Sequence, residues 1–180
     1  MVVKHVVHIA LFAAIVAALG LMPPIPLPVI PVPITAQSMG AMLAGSILGA
    51  RRGGLALVVF IALVMIGMPI LSGGRGGFGV FMGPTAGFIL SWAVAAFMIG
   101  HLTERSWSRL TLARLIAFNV LGGIVVVYGI GIAWLSLVSG VPIDKALYGS
   151  AVFIPGDIVK CVLASMIAMT VKRSYPVIRR

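Results

Sequence analysis

Five stretches of this chain, residues 5–50, 53–74, 76–103, 115–143 and 146–156, contain no Asp, Glu, Lys or Arg. A helix needs about 20 apolar residues to cross the hydrocarbon of a bilayer, and runs of this length are what such crossings look like in a sequence. The first run is long enough for two, because Pro23, Pro24, Pro26, Pro28, Pro31 and Pro33 break it in the middle. Six helices are therefore expected, over roughly 5–22, 35–50, 54–71, 83–102, 111–138 and 155–174. The composition agrees: 61% of the residues are hydrophobic and 9% charged, where a soluble domain carries about 25% charge.

These spans predict an all-α integral membrane protein, one six-helix domain over residues 1–180. Nothing in the hydrophobic spacing suggests a barrel or a repeat. The first segment runs into prolines rather than a small-residue cleavage site, so it reads as a membrane helix and not a removable signal. Basic residues are retained in cytoplasmic loops, and six helices with a cytoplasmic N-terminus put ten of the thirteen on that side. They are Lys4, Arg51, Arg52, Arg105, Arg109, Arg114, Lys172, Arg173, Arg179 and Arg180. Both termini are expected in the cytoplasm. The net charge of +10 then reports topology and contact with anionic headgroups of the bilayer, and no nucleic-acid surface is expected from bases so dispersed.

With sides assigned, three segments meet on the external face. These are the proline-rich link 23–33, the glycine-rich link 72–79, and the start of the last helix, Phe153-Ile154-Pro155-Gly156-Asp157-Ile158-Val159-Lys160. The chain has only three acidic residues, and Asp157 stands at i, i+3 from Lys160 within a membrane segment. Charges there face each other, a cavity or a ligand, so the pair is the first candidate for a binding site. Gly83-Pro84-Thr85-Ala86-Gly87 reads as a helix start aimed at the same pocket. Tyr128 lies in the outer half of the fifth segment, open to packing or ligand contact, whereas Asn119 reads as an interhelical hydrogen bond. Trp92, Trp107 and Trp134 read as packing or interfacial aromatics. Ala10, Ala14 and Ala18 repeat at i, i+4 and give the first helix a smooth face for close approach of another helix.

No catalytic constellation is visible. Glu104 and Asp144 fall away from Asp157, so no acid dyad forms, and His5, His8 and His101 map to the opposite side from the pocket. Cys161 is the single cysteine, which rules out an intramolecular disulfide. The phosphate-loop pattern is absent, so the chain cannot drive uphill transport with ATP by itself.

Pro31-Val32-Pro33-Ile34-Thr35-Ala36-Gln37, the glycine-rich link leading into Gly83-Pro84-Thr85-Ala86-Gly87, and the segment 153–160 resemble, in that order, the signatures of the BioY family. The family consists of biotin-capturing S components of energy-coupling-factor (ECF) transporters, and the resemblance covers nearly the whole chain. One departure is Ala86, where the family pattern usually has a second glycine. The resemblance implies biotin as the carried ligand, no cofactor, a location in the cytoplasmic (inner) membrane, and partners comprising a transmembrane coupling subunit and two ATPase subunits. It also implies that the Ala10, Ala14, Ala18 face docks the coupling subunit. Whether this chain works with that module or alone stays open.

Biotin offers two ureido N–H donors and one carbonyl, an apolar bicyclic ring, and a carboxylate on a flexible tail, so its pocket needs an acceptor, donors and a greasy wall. On the implied site, Asp157 accepts from a ureido N–H. Lys160 or Arg75 answers the carboxylate or carbonyl. Phe78 and Tyr128 supply wall, Thr85 and Gln37 neutral polar contacts, and Gly83 and Pro84 a close backbone approach. An S component for another vitamin, or a small proton-coupled carrier using Asp157, are the alternatives.

Overall fold

The structure, a computed structural model, describes residues 2–28 and 30–178; Arg179 and Arg180, assigned above to the basic face, lie outside the described residues, as do Met1 and Val29. Among the described residues all regular structure is helical. In chain order it comprises α1 (Val2–Leu19), α2 (Ser38–Leu48), α3 (Ala50–Met65), α4 (Ala86–Arg105), α5 (Leu112–Val120), α6 (Val127–Ser139), α7 (Ile143–Ala151) and α8 (Ile154–Ser174). A π-turn over Leu121–Val126 joins α5 and α6 into one rod. Short 3₁₀ turns cover Phe78–Met82 and Trp107–Arg109.

Three helical stretches are long and apolar enough to cross a bilayer: Ala86–Arg105, Leu112–Ser139 and Ile154–Ser174, with mean hydropathies of 1.6, 2.3 and 1.6. Their outer faces are apolar. Val94 and Phe97 on α4, and Ile158, Val159, Leu163, Met166 and Ile167 on α8, are all exposed on the outside of the bundle. Apolar residues all around a helix are what a lipid solvent requires. The α2 helix is different, since eleven residues reach only about 16 Å. Nine of them, Gly40 to Leu48, are buried inside the bundle, where a short helix meets protein rather than lipid at both ends.

Gly49 alone separates α2 from α3. Its φ of 85° suits glycine, and the carboxylate of Glu104 at the end of α4 accepts from the Ala50 backbone N–H at 2.9 Å, capping α3. The expected third helix began at residue 54 because Arg51 and Arg52 read as a loop; both lie instead in the first turn of α3. Residues 143–151, expected as loop, form the short α7 with Asp144 in its first turn.

Polar contacts separate the two ends of the bundle. At one end Arg52 donates to the Val177 carbonyl (3.2 Å), Lys172 donates to the Trp107 carbonyl (2.8 Å) and lies over its ring, and Arg114 donates to the Arg109 carbonyl (2.8 Å). The links 20–37 and 66–85 gather at the other end. There the proline-rich link folds on itself through paired Ile25 and Ile34 backbone bonds, both 2.9 Å. Midway, Asn119 is fully buried, accepting from Ser46 Oγ (3.2 Å) and donating to Ser165 Oγ (2.8 Å), so it ties α2, α5 and α8 together as expected.

Candidate functional site

A cavity opens at the loop-rich end, with an empty volume of about 570 Å³ including the open space at its mouth. Val32, Pro33 and Thr35 of the proline-rich link, Arg75 of the glycine-rich link, and Asp157 and Lys160 of α8 all line it. Thr85 and Tyr128 do so as well.

Asp157 is 6% exposed, and both of its oxygens are engaged. Oδ1 accepts from Lys160 Nζ at 2.7 Å, and Oδ2 accepts from the Tyr128 hydroxyl at 2.6 Å. Lys160 Nζ also donates to the Thr35 carbonyl (2.7 Å) and to Ser38 Oγ (3.0 Å). An ammonium has three N–H donors, so Lys160 is saturated. An ionised carboxylate has about four acceptor positions, so Asp157 keeps capacity for an incoming N–H.

Tyr128 reaches Asp157 because of the π-turn. Asn119 and Tyr128 are nine residues apart, and at 3.6 residues per turn nine steps put two side chains on opposite faces of a straight helix. Both nevertheless bond to α8, at Ser165 and Asp157. The wider turns of Leu121–Val126 take up roughly one extra residue and swing Tyr128 by about a quarter turn toward α8. Gly122 and Gly123 allow it, since a Cβ at either would collide with Ile99 or Met42.

The apolar wall is aromatic. Phe153 stacks edge-on against Tyr128 (centroids 6.3 Å) and against Phe88 (6.4 Å), and Ile89 and Trp92 extend the wall along α4. Sequence reading missed Phe88, Phe153 and the lining role of Trp92. Helical spacing was the available signal: Thr85, Phe88, Ile89 and Trp92 repeat at i, i+3, i+4, i+7, and Phe153 precedes Asp157 by one turn.

Three expected residues stand outside the lining. Phe78 opens a 3₁₀ turn that carries it outward, 58% exposed. Gly83 and Pro84 lie in the turn before α4, which begins at Ala86 rather than Gly83, and the Gly83 carbonyl accepts from the Trp134 indole at 3.1 Å. Gln37 borders the cavity but is 1% exposed, and backbone groups occupy its amide. On α1, Ala10, Ala14 and Ala18 all face outward, and none of them lines the cavity.

Arg75 is held by a tight turn. Gly73 (φ 80°) and Gly74 (φ 69°) both take left-handed backbone, which lets Leu71 and Arg75 pair across the turn. Arg75 Nε donates to the Ser72 carbonyl at 3.3 Å. Among the described residues its terminal amino groups have no protein acceptor, and the side chain is exposed at the cavity mouth.

Helices apolar on their outer faces, enclosing a cavity with a paired charge, an aromatic wall and a guanidinium at the rim, define a class: membrane proteins that hold a small polar solute. A sequence model of the BioY family matches residues 1–177. The chain is 49% identical to a biotin transporter BioY of Rhizobium etli, over 97% of this chain and 96% of that one. It is 45% identical to a biotin transporter BioY of Rhodobacter capsulatus, over 96% and 95%. A crystal structure of the S-component for biotin from an ECF-type ABC transporter superimposes with a TM-score of 0.91 at 35% identity, covering 95% of this chain and 92% of that one. The chain belongs to the BioY family.

Proposed function

We propose that this protein captures biotin from the external side of the cytoplasmic membrane and carries it inward as the substrate-binding S component of an ECF transporter. The observation that carries the reading is one cavity combining a carboxylate with spare acceptor capacity, an aromatic wall and a guanidinium whose terminal amino groups are uncommitted among the described residues. Those groups answer the ureido N–H, the bicyclic ring and the tail carboxylate of biotin respectively. Lys160 spends its three donors on Asp157, Thr35 and Ser38, so in this reading it fixes the acceptor, and Arg75 is the partner of the tail. Thr85 adds a neutral contact to the ring.

In the same reading the chain is one domain crossing the membrane six times, by α1, α2, α3, α4, the α5–α6 rod and α8, with α7 at the external end. The basic end then lies in the cytoplasm with both termini. A transmembrane coupling subunit docks on the Ala10, Ala14, Ala18 face, and two ATPase subunits supply the energy that this chain has no motif to supply.

Thermal protection tests the ligand, because a compound that binds only the folded state stabilises it by about 2.7 kcal/mol at a hundredfold excess over Kd. Biotin is expected to raise the melting temperature, and thiamin and riboflavin to leave it unchanged. Binding of biotin and its methyl ester tests the residues. Asp157→Asn should lose both ligands, and Arg75→Ala should lose the preference for the free acid. Unchanged biotin affinity in Asp157→Asn would sink the ureido assignment.

A further inference from the structure

Gln37 is the residue just before the first turn of α2, and it is buried, 1% exposed. Its amide makes three hydrogen bonds, all to backbone. Nε2 donates to the Val16 carbonyl on α1 (3.1 Å) and to the Ile70 carbonyl (3.0 Å), and Oε1 accepts from the Ser72 N–H (2.8 Å). Two of the three contacts grip the segment 70–72. That segment is the near limb of the turn that presents Arg75, which pairs with Leu71 and donates to the Ser72 carbonyl. From the far side, Ser72 Oγ donates to the Met22 carbonyl at 2.7 Å.

The amide is also enclosed. A methyl group at Gly20 would stand 2.6 Å from Gln37 Nε2 and 2.6 Å from the Ile70 carbonyl oxygen, inside contact distance of both ends of the same hydrogen bond. Glycine at position 20 therefore keeps open the space through which Gln37 reaches the loop. A side chain with no spare donor can do little for a solute directly, but one that fixes a backbone turn decides where that turn's side chain points.

We propose that Gln37 is a positioning residue for Arg75: through Ile70 and Ser72 it holds the guanidinium over the cavity mouth, and so sets the preference for a ligand with an anionic tail. This rests on the reading that Arg75 meets the carboxylate. It makes Gln37 act on one end of the ligand, leaving the grip of Asp157 on the other end untouched.

The test measures binding of biotin and biotin methyl ester to Gln37→Met and to Gly20→Ala, each with and without Arg75→Ala. Loss of one charge-assisted contact predicts biotin binding weakened about tenfold while the ester stays within about twofold. In the Arg75→Ala background neither substitution should weaken biotin further. Gly20→Ala sets its methyl against the Ile70 and Ala17 carbonyls, so it disturbs the Gln37 to Ile70 bond from outside the cavity lining. In the unaltered protein, hydrogen exchange should also find the Ser72 amide among the protected ones. Equal loss of both ligands in both variants, additive loss with Arg75→Ala, or a rapidly exchanging Ser72 amide overturns the proposal. Equal loss of biotin and ester in Arg75→Ala alone would instead remove the underlying reading of Arg75.

Discussion

Replacing Lys160 with Met should destabilise the protein, and removing Asp157 as well should restore most of what was lost. The ammonium lies 2.7 Å from Asp157 Oδ1, with the two side chains 15% and 8% exposed. Taking away one member of a buried pair leaves an uncompensated charge, at about 3–5 kcal/mol, whereas replacing both with neutral groups is often close to neutral. The lower figure, about 3 kcal/mol, applies here because Tyr128 still donates to Oδ2 and the cavity admits water. In a chain of this size each kcal/mol moves the melting temperature by roughly 2–4 °C, so Lys160→Met should melt roughly 6–12 °C lower. Adding Asp157→Asn removes the stranded charge, and because the contacts of Lys160 with Thr35 and Ser38 are already lost in Lys160→Met, the double variant should recover most of that fall.

Tryptophan fluorescence of detergent-solubilised protein without ligand follows the transition, at one fixed scan rate because membrane proteins often unfold irreversibly. A double variant that melts at or below Lys160→Met would refute the reasoning. The stabilising element would then be Lys160's ties to the α2 entry rather than the neutralisation of Asp157.

Tyr128→Phe deletes one hydrogen bond to an ionised acceptor, worth about 1.5–3 kcal/mol, so it should lower the melting temperature by roughly 3–12 °C and weaken biotin about tenfold by calorimetry; an unchanged Kd would show that the phenol contributes wall alone. Gly87→Ala drives a methyl into the Trp134 side chain across the α4–α6 contact, an overpacking worth about 1–3 kcal/mol, and a melting temperature equal to wild type would contradict that packing. Ala14→Leu alters only an outward face of α1, so biotin affinity should hold while copurification with the coupling subunit drops; undiminished capture of that subunit would move the docking surface elsewhere.

Much of this cavity's lining is legible in the sequence. Charges are so scarce that Asp157 and Lys160 stood out at once, and alternating sides placed the proline-rich link, the glycine-rich link and the α8 start at one end. Other parts were hidden for specific reasons. Phe78 and Gly83 were expected at the ligand because a glycine-rich link gives no period from which to tell inward from outward, and the 3₁₀ turn sends Phe78 out. Gln37 looked like a ligand contact because its residue type cannot say that backbone carbonyls will claim its amide. Helix α7 escaped because Asp144 and Lys145 interrupt an apolar run, and such a break resembles a loop.

The fifth segment shows most clearly what hydrophobic pattern cannot carry. Asn119 and Tyr128 are both conspicuous polar residues of an apolar segment, yet regular helical geometry sets them on opposite faces and allows only one of them to meet α8. A π-turn leaves almost no trace in composition: Leu121-Gly122-Gly123-Ile124-Val125-Val126 reads as ordinary membrane helix. Its physical signature is a conflict of register, two inward polar groups that one straight helix cannot both satisfy. In lipid each would be costly to leave unpaired, so the helix yields, and the added residue per turn is taken where Gly122 and Gly123 let the wider backbone pass Ile99 and Met42. The carboxylate of Asp157 thus owes its second hydrogen bond to a distortion one turn away. Asn119 anchors the rod below that distortion, and Tyr128 collects its effect above it.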